Sequence, residues 1–359
     1  MKSKNFAFAA IALAASSVAF AQSSDTQVSL YGTLDANVQV LKGASNLSRV
    51  QSGGSSDSRI GLRGTEDLGG GLKAFFTLES GLNVDDGSTG QGSFWGRQAY
   101  VGLATPYGKV SLGRQYSSIY DLTNDFSQFS NVSAGASTAV IGGFGGYEPV
   151  RGSNNSSTGN GGPSRVNNSV KFETASYNGF TAGALWGAGE VAGNTFGNRT
   201  TDFYGRYKGY GFEGMVSVVN DKAEQIGQNV RTVSAAAAYD WNNFRFNGGV
   251  IQVDDRTVAD KDGKGYWLGA SYRLGQHQFK TQYVESKNDG ALVEGKTQAF
   301  GVGYEYGLSK RTALYSSLTR FKNEGAGYVD RAAGLIPVGL TDASHRNLTE
   351  VVAGIRHSF

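Results

Sequence analysis

From Val28 onward the chain alternates apolar and polar side chains, and a period of two confines it to β-sheet. In "VSLYGTLDANVQVL", Val28, Leu30, Leu34, Ala36, Val38 and Val40 share one face. Ser29, Tyr31, Thr33, Asp35, Asn37 and Gln39 share the other. In "SRIGLRG", Ile60 and Leu62 oppose Arg59 and Arg63, and in "LKAFFTLESGL", Leu72, Ala74, Phe76, Leu78 and Leu82 oppose Lys73, Thr77 and Glu79. Val170 and Phe172 oppose Arg165, Asn167, Ser169, Lys171 and Glu173, and Phe203 and Tyr207 oppose Asp202, Tyr204, Arg206 and Lys208. The pattern persists to the end of the sequence. Val351, Ala353, Ile355 and Phe359 lie on one face of "NLTEVVAGIRHSF", with Glu350, Gly354 and Arg356 on the other.

Two kinds of break alternate between these runs. Short ones, rich in Gly, Asn and Asp, fall near 66–71, 105–108, 176–180, 208–211, 240–244, 274–277 and 306–311, and have hairpin-turn composition. Long polar ones fall near 43–57, 83–93, 116–164, 188–198, 220–229, 255–263, 287–295 and 323–346. Seven short turns and eight long loops separate sixteen strands. An open sheet of that size would leave two reactive edges, and closure removes them. A sixteen-stranded barrel is too wide to fill with side chains, so it keeps an aqueous lumen. The expected fold is all-β, a transmembrane antiparallel barrel with its apolar face to lipid and its charged face to water. A soluble β-sandwich with one solvated face is the competing architecture. Aromatic residues at strand ends (Tyr210, Trp241, Phe244, Phe321 and Phe359) are candidates for interfacial belts.

Composition narrows the function. "MKSKNFAFAAIALAASSVAFAQ" has Lys2 and Lys4, a short apolar run and Ala19-Phe20-Ala21 before Gln22, the pattern of a secretory signal peptide over 1–21. The remainder, 22–359, is expected to be one domain. Removing 1–21 takes away two lysines and no acid, so the formal charge falls from +3 to +1. A nearly neutral chain argues against nucleic acid as a partner. With no Cys there is no disulfide, thiolate metal site or thiol nucleophile. The three histidines, His277, His345 and His357, are scattered. "GYGFEG" at 209–214 fits a dinucleotide fingerprint but lies in a tight turn without a helix after it. Neither a nucleophile–base pairing nor a metal set is visible, so no enzyme, cofactor or metal is expected.

Several stretches carry a family likeness: "VSLYGTLDANV", "SRIGLRGTEDLGGGLKAFFTLESG", "FWGRQAYVGLATPYGKVSLGRQYS", "RVNNSVKFET" and the Phe-terminated last run. On these the chain resembles the trimeric general porins of Gram-negative outer membranes, most like those of β-proteobacteria. The resemblance implies a homotrimer among outer-membrane lipids and lipopolysaccharide, with short periplasmic turns and long extracellular loops. It implies passive diffusion of small ions and hydrophilic solutes, and a terminal Phe359 read by the barrel assembly machinery. It also implies that the third loop, about 116–164, bends into the lumen. Its "AVIGGFGGYEP" is then expected to pack on the inner wall and "GSNNSSTGNGGPS" to stay outside.

Charged rings in a narrow pore set selectivity. Arg59, Arg97 and Arg165 match positions where the family places pore-lining arginines, and Arg63 and Arg114 stand in second rank. Asp121, Asp125 and Glu148 of the inward loop form the expected acidic side, with Glu79 expected lower on the wall. The arginine excess points to a weak anion preference. Phe126, Phe129, Phe144 and Tyr147 keep a substrate-specific channel with an aromatic path as the alternative, although anchoring of the loop explains them as well.

Overall fold

The computed structural model describes residues 26–130, 164–190, 192–194, 197–222, 229–256, 262–289, 294–325 and 347–359. Among them are the strands β1 (Gln27–Lys42), β2 (Asn46–Ser52), β3 (Arg59–Gly69), β4 (Leu72–Gly81), β5 (Gln98–Thr105) and β6 (Gly108–Tyr116). The helix α1 (Ser118–Asp125) follows, then β7 (Arg165–Thr174), β8 (Phe180–Gly187), β9 (Thr200–Gly209), β10 (Phe212–Lys222) and β11 (Asn229–Trp241). The remaining strands are β12 (Phe244–Asp255), β13 (Gly263–Leu274), β14 (His277–Asp289), β15 (Glu294–Gly307), β16 (Thr312–Gly325) and β17 (Asn347–Ser358). The signal segment 1–21, Glu148, Phe144, Tyr147 and the two loop stretches named above, apart from Ser164, lie outside the described residues.

Every strand pairs antiparallel with its neighbour, and β17 pairs with β1, so the sheet closes. The first long connection differs from its expected form, because residues 46–52 fold back as β2 on β1. β3 then pairs with the other half of β1, from Gln27 to Thr33. β2 and β3 therefore make one interrupted stave, and the barrel has sixteen staves. All seven short turns and all eight long connections fall where the sequence places them.

The turn between β9 and β10 shows the local cause. Tyr210 and Gly211 both have positive φ, 53° and 77°, which suits a two-residue turn matched to strand twist. At the seam, Gly32 and Phe359 exchange both backbone hydrogen bonds, at 3.1 and 3.2 Å. A Cβ on Gly32 would stand 2.4 Å from Phe359 Cζ, so the ring needs a glycine beneath it.

The two faces separate as the alternation requires. Val28, Leu30, Val38, Val216 and Leu318 are exposed on the outside, whereas Asp35, Gln39, Asp202, Ser217 and Glu350 are buried on the inside. Tyr210, Trp241, Phe244 and Phe359 are exposed near strand ends, in keeping with a belt. Phe321 is not: it is buried in the inner cluster with Leu348 and Leu41. Its position in β16 has the parity of buried Tyr315 and Thr319, which places it inside the barrel.

The lipid face can be tested with a charge. Val216→Arg in the middle of β10 should cost about 2–4 kcal/mol in urea unfolding from lipid vesicles. An unchanged midpoint would mean that this face meets water.

Candidate functional site

Two segments enter the barrel. The first is the bend 53–58 between β2 and β3. Asp35, buried on β1, accepts from the N–H groups of Gly54 (3.0 Å), Ser55 (2.9 Å) and Ser56 (2.8 Å), and from the Tyr315 hydroxyl. Three converging amides and a phenol satisfy the buried carboxylate and fix the bend. The bend delivers Asp57 into the lumen.

Beside it the arginines converge. Arg97 lies just before β5 and is only 2% exposed. It donates to Glu79 Oε1 at 2.8 Å, Asp57 Oδ2 at 2.7 Å and the Tyr120 hydroxyl at 3.1 Å. Arg59 approaches Glu79 at 3.7 Å and donates to Ser56 Oγ and the Asp57 carbonyl. Arg165 stacks on Tyr116 and Tyr120, 5.1 and 5.2 Å from their ring centres, and those two rings stack on each other at 3.9 Å. Among the described residues Arg165 forms no ion pair, and its Nε has no partner. Burial works to raise the Asp57 carboxyl, and Arg97, with Arg165 and Arg59 behind it, outweighs this and holds it below the usual range.

The second segment leaves β6 and runs through α1. Ser117 caps the helix, accepting from Tyr120 N, and Ser118 N donates to Asp202 Oδ2 at 2.7 Å. Leu122 and Phe126 are buried on the inner wall, and α1 packs on β9, β10 and β11. Past the helix, the Phe126 carbonyl accepts from Asn247 Nδ2 and Trp267 Nε1, both at 2.6 Å. Gln128 N donates to Gln282 Oε1 at 2.8 Å, and the Phe129 ring covers Gly301 and Gly303. The segment thus reaches from β6 to β15, about half the circumference, held by apolar packing, hydrogen bonds and a ring on two glycines.

The acids of this segment are paired. Asp121 lies 3.7 Å from Lys171. Asp125 lies 2.9 Å from Arg206, which together with Arg245 also holds Glu213, while Arg245 holds Asp240 at 2.7 Å. Burial against the wall pushes the Asp121 carboxyl up to about 6, with Lys171 opposing and Asp125 and Asp202 adding to the rise.

One placement, that of Glu79, corrects the sequence reading. Glu79 does not sit lower on the wall but lies within the arginine group, where Tyr31 and Tyr116 also donate to it. Arg97 precedes its strand and is sealed by two carboxylates, so its parity carries no information. Arg63 stands apart over the Tyr31 ring at 5.0 Å, and Arg114 is tied to the Gly96 carbonyl (2.8 Å) and Asn167. Sequence reasoning passed over Asp57 and Arg245, and it put Lys171 and Arg206 on polar faces without singling them out as site residues, so the residues missed at the site are Asp57, Lys171, Arg206 and Arg245. The last three share the polar phase of their strands and could have been read from it. Asp57 could not, because only the Asp35 cradle brings its loop inward.

A family model described as Gram-negative porin matches residues 7–326. The chain belongs to the Gram-negative porin family. Outer membrane porin protein 32 of Delftia acidovorans is 34% identical across 97% of each chain. An outer membrane porin protein of Bordetella pertussis is 29% identical over 94% of this chain and 96% of its own. The structure of an anion-selective porin from Comamonas acidovorans superposes with a TM-score of 0.75 at 29% identity, covering 93% of this chain and all (100%) of the other. This porin is thus an outer-membrane channel crossing the bilayer many times, and neither an enzyme nor a soluble sandwich.

Arg97 in this porin is a buried clamp on two acids, and removing one partner of such a group costs about 3–5 kcal/mol. Arg97→Met should lower the thermal unfolding temperature measured by gel mobility. Pairing it with Glu79→Gln should recover part of the loss, and additive losses in the double variant would contradict the clamp.

Proposed function

We propose that this porin works as a homotrimer passing small hydrophilic solutes, with a weak preference for anions. Its selective waist is the space beside Arg59, narrowed by the 53–58 bend and by α1 with Asp121 and Asp125, with Arg97 and Arg165 packed between the wall and the start of α1. Arg114 acts beside this waist, Arg63 adds charge farther along the wall, and Glu148 joins the acidic side from the remainder of the 116–164 loop. Residues 1–21 are removed as a signal peptide, leaving 22–359 as one barrel. Short turns face the periplasm and long loops the exterior, and the apolar outer wall meets lipid and lipopolysaccharide. Phe359, set into the seam, is the mark that the assembly machinery reads.

The observation that carries the anion preference is a local charge imbalance. Three arginines, Arg59, Arg97 and Arg165, surround two acids, Asp57 and Glu79, so one positive charge is left over. On α1, Asp121 and Asp125 have Lys171 and Arg206 beside them, so they offset little of it. Fixed charge at a narrow point biases ion entry by its sign. The anion selectivity described for the Comamonas relative agrees in direction. No comparable imbalance favours a substrate-specific path, because Phe126 and Phe129 are used to anchor the loop.

Reversal potential in planar bilayers under a KCl gradient tests this. Arg59→Ala should move it toward cations, and an unchanged value would remove Arg59 from the waist. pH adds an independent check. Asp121 is ionised above its value of about 6 and neutral below it, so anion preference should rise as pH falls through that point. Asp121→Asn should abolish that rise.

A further inference from the structure

A second group of cations lies away from the waist, at the short-turn end. The turns 275–276 and 308–311 join β13 to β14 and β15 to β16, and they are neighbours on the rim. Between them and β17 is a cavity of about 450 Å³ lined by Arg273, Lys310, Arg311 and Arg356. Gln276, Gln278, Ser309 and Ser358 add neutral hydrogen-bonding groups, and Glu305 is the single acid in the lining.

Glu305 is already engaged. Arg356 Nη2 reaches its Oε1 at 2.7 Å and Lys280 Nζ its Oε2 at 3.2 Å. The Arg273 guanidinium donates to Gln278 Oε1 at 3.1 Å. Arg273, Lys310 and Arg311 form no ion pair among the described residues. Counting Lys280, five cations face one carboxylate, an excess of four in a corner of a chain whose formal total is +3.

The register places these groups at one height. Arg273 stands opposite Gln278, and Gln278 opposite Glu305. Arg273 and Glu305 are therefore two strand spacings apart, about 10 Å. A lone exposed cation is screened within about 8 Å at physiological salt, but several inside that distance act together. A monovalent anion can engage one or two of them and move on. A chain of phosphates can engage three or four at once, and the cavity volume falls in the range of small-ligand sites. Serine and glutamine donors suit the remaining oxygens.

We propose that this corner is a binding site for small polyvalent phosphate anions, separate from the waist. The site rests on the open-channel reading but not on the anion preference assigned to Arg59 and Arg165. Such a ligand would sit at the short-turn mouth and obstruct the KCl current while bound.

The test is the concentration of inorganic tripolyphosphate that halves single-channel KCl current. Arg273→Gln with Arg311→Gln should raise it at least about fivefold. Both side chains are exposed, and the KCl conductance of the double variant reports that its barrel is intact. Lys109→Gln, which removes a cation of β6, should leave the value within about twofold. An equal rise in Lys109→Gln, no change in the double variant, or no block of a conducting wild type would each overturn the site. Absence of KCl conductance in folded wild type would instead overturn the channel reading beneath it.

Discussion

Hydrocarbon offers no hydrogen bonds, so each backbone N–H and C=O crossing it must find a partner within the protein. The ten residue pairs between β1 and β17, from Thr33–Ser358 to Lys42–Thr349, meet that requirement at the last open edge. The rest follows from closure. A closed sheet of sixteen staves has an inside too wide for side chains to fill. The same alternation that hides apolar groups from water on the outside places charges around that space. Phe359 is held because its backbone completes the seam with Gly32.

A wide barrel alone would select little. Its narrowing depends on buried polar groups that hold two chain segments inside. Asp35 fixes the 53–58 bend with three amides and a phenol. Asn247, Trp267 and Gln282 fix the segment after α1 by its main chain. Each network is satisfied by directional donors, which makes the position of the segment specific as well as stable. The arginines then divide their roles. Arg97 is fully sealed between Asp57 and Glu79, and joins the bend to β4. Arg59 has looser partners and its side chain stays partly exposed, whereas Arg165 is buried against the Tyr116 and Tyr120 rings.

The fold was almost wholly legible in the sequence. Lipid and lumen faces have a period of two, and turns carry Gly, Asn and Asp at positions where positive φ is needed, as at Tyr210–Gly211. What escaped was set by contacts between distant residues. β2 is a short hairpin arm in a polar stretch, and nothing local separates it from a loop. Phe321 reads as a belt aromatic by type, whereas its strand phase places it inside. Within the charge cluster, parity located Arg59 and Arg165, but it gave no height along the barrel, so Glu79 was placed too low. Asp57 and Arg97 sit outside regular strands, where parity has no meaning.

The chain contains no cysteine, so single-cysteine variants give an unambiguous reading of which residues face the pore. The most direct measurement is the single-channel current of Arg59→Cys and Ile60→Cys during exposure to a positively charged methanethiosulfonate. If the Arg59 face lines the water path, the current through Arg59→Cys falls in discrete steps and that through Ile60→Cys is unchanged. Steps at position 60, or none at position 59, would contradict the assignment of faces and with it the charged waist.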